Sequence, residues 1–185
     1  MRKLIMWNMA TLDGLFEGKQ SWDLDFHEVG WGEELERFAN EQMDAGDTLL
    51  FGRKTYEGMA QYWSTAKGET ADRMYAIQKV VFSRTLASAD WVNTRLVSTD
   101  AAEEVARLKA EPGRDILVFG SAELCASLMR AGLIDEYRIG LNPIVLGQGT
   151  PLFKPGASQT TMRLLEARPL QTGCVLLRYA PVAAA

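Results

Sequence analysis

The chain has 185 residues, with 20 basic and 24 acidic side chains, a formal net charge of −4 and a sequence pI of about 5.1. A hydrophobic fraction of 47% and a charged fraction of 24% are typical of one globular domain and exclude a disordered acidic chain. The acidic balance argues against nucleic acid as a partner, and the lack of an apolar run near ~18 residues or of a signal peptide over residues 1–6 predicts a cytoplasmic protein without a membrane segment.

Short apolar runs alternate along the chain with amphipathic stretches. The runs predict strands over residues 3–9, 47–51, 79–83, 115–119, 136–141, 162–167 and 174–179. Helical periodicity predicts helices over 33–43, 101–110 and 121–131, the second behind a cap at Asp100 and the third ending at Gly132. This alternation predicts an α/β fold with a mostly parallel central sheet and helices on both faces.

The last part of the chain departs from this alternation. A loop rich in glycine and proline covers residues 142–151, and two strands then follow with no helical pattern between them. We expect these strands to form an antiparallel hairpin that closes the sheet. Residues 1–181 are predicted to form a single domain, and residues 182–185 a disordered tail.

Cysteine and histidine are scarce. Cys125 and Cys174 lie far apart in apolar stretches, which predicts two reduced thiols in the core, with a disulfide or a reactive thiol as the alternatives. No cluster of ligands has the spacing of a metal site, so no metal is predicted. His27 is the only histidine and has no motif around it, which disfavours hydrolytic triads.

A first candidate ligand site follows the second predicted strand, at residues 52–55. Gly52 allows a ligand to approach the backbone, and Arg53, Lys54 and Thr55 occupy the first turn of a helix. Free N–H groups and the positive end of the helix dipole attract phosphate there. The alternative is a glycine turn with a solvated basic face.

Two further sites repeat this device of a strand, a small residue and a turn. After Phe119, Gly120 and Ser121 could present N–H groups to a diphosphate, although Ser121 is also a good helix cap. Ser83 and Arg84 suit a ribose 2′-phosphate, which would select NADP over NAD, or they form a surface turn. Ligands gather at the carboxyl ends of parallel strands, so the three sites together point to one ligand.

A fourth region follows the first predicted strand. Asp13 and Gly14 form a turn signal, and the long segment after them carries Trp22 and Phe26. Long connections of this kind are often lids. The alternatives are a plain turn at residues 13–14 and, for Trp22, a core or lid tryptophan without ligand contact. Asp13 and Asp25 are the carboxylates placed to serve a pocket under such a lid.

Taken in order, these residues resemble the dihydrofolate reductase fold, and more closely the riboflavin-biosynthesis reductase branch. That branch includes the C-terminal domain of the bifunctional deaminase-reductase and many stand-alone relatives. The resemblance spans most of the chain and rests on residues 11–14 (TLDG), 51–57 (FGRKTYE), 82–84 (FSR), 119–121 (FGS), 135–136 (DE), 143–149 (PIVLGQG) and 152–153 (LF).

The resemblance implies a three-layer fold of this type and an NADPH-dependent reductase that forms homodimers. It implies that one end of the cofactor diphosphate is held by residues 52–55, that the 2′-phosphate meets Ser83 and Arg84, and that the other phosphate side and the nicotinamide ribose are covered from residue 119 onwards. The implied cofactor-binding residues are Ala10, Leu12, Gly14, Gly52, Arg53, Lys54, Thr55, Ser83, Arg84, Phe119, Gly120, Ser121, Ala122 and Glu123.

Three departures from the family pattern stand out. The chain has no zinc deaminase half, the second phosphate loop reads Gly-Ser where the pattern has Gly-Gly, and no carboxylate matches the pterin-binding acid of folate reductases. Asp25 lies in roughly the right region, but its local match is poor.

The leading hypothesis is therefore reduction of a small heterocycle, specifically 5-amino-6-(5-phosphoribosylamino)uracil. The alternatives are dihydrofolate reduction and a non-catalytic nucleotide-binding dimer module. The proton source is predicted to be Asp13 or Asp25, with ordered water as an alternative and a slight claim for His27. The predicted substrate-binding residues are Asn8, Trp22 and Phe26.

Overall fold

An eight-stranded sheet forms the centre of the protein in a computed structural model that describes residues 1–155 and 159–182. Its strand order is β5-β4-β3-β6-β1-β7-β10-β9, and β2 and β8 form a separate two-stranded sheet. The strands are β1 (Leu4–Thr11), β2 (Leu15–Glu17), β3 (Gly46–Gly52), β4 (Gln78–Phe82), β5 (Thr94–Val97), β6 (Asp115–Phe119), β7 (Glu136–Asn142), β8 (Thr150–Pro151), β9 (Met162–Pro169) and β10 (Val175–Pro181).

Helices cover both faces of the large sheet. They are α1 (His27–Gly30), α2 (Glu33–Ala45), α3 (Arg53–Trp63), α4 (Glu69–Ala76), α5 (Ala101–Ala110) and α6 (Ala122–Arg130). On one face α5 and α6 pack against Leu4 and Met6 of β1, and on the other α2, α3 and α4 pack against Ile5 and neighbouring strands. All eight residues of β1 are buried, as expected for a parallel strand covered from both sides.

The direction of the strands gathers their carboxyl ends at one edge. β1 lies parallel to β6 and β7, and β3 lies parallel to β6 and β4. The register pairs Trp7 with Phe119, and Gly52 with Phe82. The loops that follow β1, β3, β4 and β6 therefore leave the sheet on the same side.

Much of the predicted architecture is confirmed. The seven predicted strands and three predicted helices are present within one to three residues of their expected bounds, and β9 and β10 form the expected antiparallel hairpin. Asp100 caps α5 by accepting N–H groups of Ala102 and Glu103. Both cysteines are free and buried.

The structure also contains elements that the periodicity did not predict. These are the edge strand β5, the helices α1 and α4, and the small sheet of β2 and β8. Each is eight residues or shorter, so its pattern is too brief to stand out from a loop.

Of the predicted tail at residues 182–185, the structure describes Val182 alone. Val182 donates its N–H to Thr161 O and so continues the hairpin, while residues 183–185 lie outside the described part of the chain. Among the residues that the structure describes, no helix combines the length and the apolar character needed to cross a bilayer.

Candidate active site

A cavity of about 490 Å³ opens at the carboxyl edge of the sheet, between α3, α6 and the segment that follows β2. Most residues that the sequence assigned to a cofactor or a substrate line this one space. Those residues are Asn8, Trp22, Gly52, Arg53, Lys54, Thr55, Phe119, Gly120, Ser121, Ala122 and Glu123.

The N-termini of two helices, α3 and α6, lie side by side at the cavity. α3 begins at Arg53 and α6 at Ala122, and the N–H of Gly52 donates to Ser121 Oγ at 2.8 Å. The first turns of both helices line the cavity, so their unpaired N–H groups and positive dipole ends meet there. The arrangement concentrates positive potential where an anion can approach.

Ser121 occupies the N-cap position of α6, as the alternative expected, but its side chain makes no capping hydrogen bond. Its backbone lies in the left-handed region, at φ 58° and ψ 57°, which glycine adopts with less strain. The hydroxyl is instead used by Gly52. This explains how serine is accommodated where the family pattern has a second glycine.

Gly120 is required by its geometry. Its φ is +58°, and a Cβ there would lie 3.0 Å from Thr55 Cγ2. Its N–H donates to Asn8 Oδ1 at 2.8 Å, so the buried side chain of Asn8 in β1 fixes the loop after β6. Gly52 differs, because its φ is −79° and a Cβ would meet Ser121 at ordinary contact distance.

Positive side chains surround these helix ends. Arg53 pairs with Glu57 one turn along α3, at 3.1 Å. Lys154 pairs with Glu123 in the first turn of α6, at 2.8 Å. This hydrogen bond lowers the pKa of Glu123, and the charge of Lys54 adds to the shift.

Asp13 lies outside the cavity lining and has a structural set of partners. Its exposed carboxylate accepts Thr11 Oγ1 at 2.5 Å and the N–H groups of Leu146 and Gly147. These hydrogen bonds, led by Thr11, lower the pKa of Asp13 and keep it ionised. The geometry therefore gives Asp13 the task of holding the 142–149 loop against the turn after β1.

Glu17 anchors the segment above the cavity. Its Oε1 accepts the Trp22 N–H at 2.6 Å, and its Oε2 accepts Thr150 Oγ1 at 3.1 Å. Trp22 has φ 67°, and its indole lies on Gly58 of α3, where a Cβ would approach Cε3 to 2.5 Å. Trp22 thus bridges the covering segment and α3, as expected for a lid residue.

Of the other residues predicted at the substrate or as proton sources, Phe26 and Asp25 lie away from the cavity and His27 lies at it. Phe26 is 4% exposed and packs in the core beside Trp7 and Phe38, and Asp25 is exposed and outside the cavity lining. His27 does line the cavity, and its desolvation lowers its pKa to about 4. His27 is therefore neutral at pH 7.

Three other predicted cofactor residues lie in β1 or on the turn after it, and a fourth, Ser83, follows β4. Ala10 is buried in the core and its carbonyl accepts Asn142 Nδ2, while Leu12 and Gly14 are exposed. Ser83 uses its hydroxyl to accept the N–H groups of Thr85 and Leu86. None of Ala10, Leu12, Gly14 or Ser83 lines the cavity.

Arg84 is exposed at the carboxyl end of β4, next to β3, and makes no ion pair with any described residue. It lies outside the cavity lining but on the same edge of the sheet as Gly52. Neighbouring strands are about 4.8 Å apart, so β4 and β6 are separated by about 10 Å across β3.

Part of the lining was missed by the sequence analysis. It includes Met43 of α2, Met59 and Trp63 of α3, and Met74 of α4. Met59 and Trp63 are four residues apart and so share a helix face, but only the first turn of α3 had been predicted. Met74 lies on α4, whose pattern is too short to be read.

Comparison with known proteins gives a consistent family. The sequence profile of the RibD C-terminal domain matches residues 2–176. The chain is 31% identical to the uncharacterized protein YyaP of Bacillus subtilis (strain 168), over 96% of this chain and 94% of that protein.

Solved structures share the fold. A protein of Shewanella sp. PV-4 named for riboflavin biosynthesis superposes with a TM-score of 0.82 at 22% identity, covering 98% of this chain and 99% of that one. The dihydrofolate reductase of Enterococcus faecalis, solved with NADP(H), gives 0.64 at 15% identity, covering 97% and 96%. The predicted dihydrofolate reductase-like fold is confirmed.

The hydrogen bond between the two helix starts leads to a stability prediction. Ser121→Ala loses the bond and keeps the left-handed strain, so we expect the free energy of unfolding to fall by about 1–2 kcal/mol. Ser121→Gly loses the bond but relieves the strain, and should be less destabilised. Denaturant unfolding measures both, with Ser98→Ala on the surface as the control. A glycine variant less stable than the alanine variant would contradict this account.

The lowered pKa of His27 predicts a pH effect. The unfolded chain binds a proton near pH 6.5, whereas the folded chain does so only near pH 4. Stability is therefore lost as pH falls through this window, by at most about 3 kcal/mol. His27→Gln should show a smaller loss between pH 6.5 and pH 4 in thermal unfolding. Parallel pH profiles for the two proteins would exclude His27 as the cause.

Proposed function

The chain belongs to the RibD C-terminal domain family, and we propose that it is an NADPH-dependent reductase of a small heterocyclic substrate. The observation that carries the proposal is the junction of two helix N-termini at one cavity, joined by the Gly52–Ser121 hydrogen bond. A dinucleotide diphosphate has the charge and shape that such a junction favours.

The residues present fit the diphosphate. Gly120 leaves the space beside Thr55 open, because a Cβ there would be in close contact with the threonine methyl group. The N–H groups at the starts of α3 and α6 face the same cavity, with Arg53 and Lys54 beside them. Phosphate oxygens would be held by these donors, and Thr55 would add a hydroxyl.

The choice of NADPH over NADH rests on Arg84. The carboxyl ends of β6, β3 and β4 form a row, so a ligand held at the first two would extend toward the third. Arg84 lies there without a partner among the described residues. Its guanidinium would pair with a ribose 2′-phosphate, while Ser83 would shape the turn that presents it.

Hydride transfer requires positioning more than covalent chemistry from the protein. When bound, NADPH supplies the hydride. Asn8 fixes the loop at Gly120, and Trp22 bridges to α3 over the cavity and limits the entry of water. These residues would align the reacting partners and lower the entropic cost of their encounter.

The proposed reduction also needs a proton donor. Asp13 is ionised and bound to the 142–149 loop, and Asp25 does not line the cavity. His27 lines it but is neutral at pH 7, so it is a poor proton donor. We therefore assign the proton to solvent water, which the sequence analysis had kept as an alternative.

The dihydrofolate alternative needs an acid in the cavity lining, where the described carboxylates are Glu17 and Glu123. Both already hold structural contacts, Glu17 with Trp22 and Thr150, and Glu123 with Lys154. An amino-pyrimidine edge would have to share Glu17 with the contacts that hold the covering segment, so this alternative is less favoured.

The homodimer implied by the resemblance is part of the proposal. β9 is an edge strand of the sheet and exposes Leu164 and Leu165, at 51% and 38%. An exposed apolar edge of this kind is typical of an interface. Analytical ultracentrifugation would test it.

Binding and turnover separate an enzyme from a nucleotide-binding module. Titration with NADPH should quench the tryptophan fluorescence, because Trp22 lines the cavity. Quenching without oxidation of NADPH in the presence of any small heterocycle would favour the non-catalytic alternative. No binding of NADPH at millimolar concentration would overturn the proposal itself.

Arg84→Ala tests the cofactor assignment. Loss of one charge-assisted contact should weaken NADPH by about ten- to one hundredfold and leave NADH within about twofold. Dissociation constants from fluorescence titration measure both. Arg37→Ala, at an exposed arginine of α2 that does not line the cavity, is the matched control. Equal weakening of NADPH and NADH would remove the 2′-phosphate assignment.

A further inference from the structure

We infer that the substrate half of the cavity accepts an uncharged, planar heteroaromatic compound that carries no phosphate or carboxylate. The juxtaposition that carries this inference is a cavity with all its cations at one end and a wall of methionine and tryptophan at the other. The inference rests on the proposed function, because it takes the charged end to be occupied by NADPH.

The cations of the cavity are gathered in one place. Arg53 and Lys54 are in the first turn of α3, and Lys154 pairs with Glu123 in the first turn of α6. No other lysine or arginine lines the cavity within residues 1–155 and 159–182. The same group of cations faces the helix N-termini that would hold the diphosphate, so no second anion site exists among these residues.

The other end of the cavity is apolar. α3 leads from Arg53 to Trp63, a distance of about 15 Å along the helix axis. Near its far end Met59 and Trp63 face Met43 of α2 and Met74 of α4. Trp63 Nε1 donates to Met59 Sδ at 3.2 Å, so even the indole N–H is used within the wall. Thioether and indole surfaces of this kind favour flat aromatic rings.

The polar groups near this wall are neutral or already bonded. Thr70 donates its hydroxyl to Asn40 Oδ1 at 2.9 Å, and both oxygens of Glu17 are engaged. His27 lines the cavity as a neutral imidazole, which can accept or donate a hydrogen bond to a ring nitrogen or a carbonyl oxygen. Burying an anion here would cost its hydration with no cation in return.

Two of the substrates considered above carry an anion and would fit this cavity poorly. A phosphoribosylamino pyrimidine carries a phosphate, and dihydrofolate carries a glutamate tail. Each would place an anion against Met59 and Trp63 or compete with the cofactor for Arg53 and Lys54. An uncharged pteridine or pyrimidine avoids both problems.

The test compares two ligands that differ by one carboxylate on the same ring system. 6-Methylpterin and pterin-6-carboxylate are titrated at pH 7.5 into the full chain saturated with NADPH, and the tryptophan fluorescence is followed. We expect the neutral pterin to bind at least about tenfold more tightly than the anion. The pair uridine and uridine 5′-monophosphate repeats the comparison for a phosphate, with the same expected order.

A charge placed in the apolar wall should reverse the preference. Met59→Lys should bring the affinity for pterin-6-carboxylate level with or above that for 6-methylpterin, whereas Met59→Leu should keep the preference of the native chain. Circular dichroism and thermal unfolding establish that both variants fold. If Met59→Lys does not fold, the comparison in the native chain decides alone.

The outcomes are distinct. Equal or tighter binding of either anion by the native chain overturns the inference and leaves the reductase proposal standing. Failure of both pterins and of uridine to bind, while NADPH binds, also overturns it. Failure of NADPH to bind contradicts the reductase proposal instead.

Discussion

The site depends on one hydrogen bond between two loops, from the Gly52 N–H to Ser121 Oγ. Gly52 ends β3, Ser121 follows the adjacent parallel strand β6, and each precedes a helix. Because the bond fixes the loops to one another, both helix N-termini point into one cavity and their dipoles add. Asn8 supports the same junction from β1 through the Gly120 N–H. The positive potential of the junction thus comes mainly from the backbone and needs few cations.

The consequence is a separation of charge along α3. Its first turn is basic and faces the helix junction, while its last turn presents Met59 and Trp63 to α2 and α4. A single helix therefore offers two kinds of surface at its two ends. The same separation divides the site into a basic part at the helix junction and an apolar part at the far end of α3.

The sequence predicts the first part better than the second. Gly120 is identifiable because a strand, a glycine and a helix follow in order, and the structure adds why it must be glycine. The sequence suggests a catalytic role for Asp13, because a carboxylate beside a turn is a candidate acid. The structure shows instead that Asp13 binds the N–H groups of Leu146 and Gly147, which lie more than 130 residues away in the chain. Phe26 is aromatic and near the lid in sequence, but packing buries it in the core. The wall of Met43, Met59 and Met74 comes from three helices, and no local pattern places such residues together.

The covering segment is attached independently of the junction. Glu17 holds it through Trp22 and Thr150, and the indole of Trp22 rests on the bare backbone of Gly58. None of these contacts involves Gly52, Gly120 or Ser121. The two parts of the site are therefore mechanically independent: a substitution within residues 18–31 leaves the bond between the two helix starts in place, and the covering segment can be altered without loosening the junction.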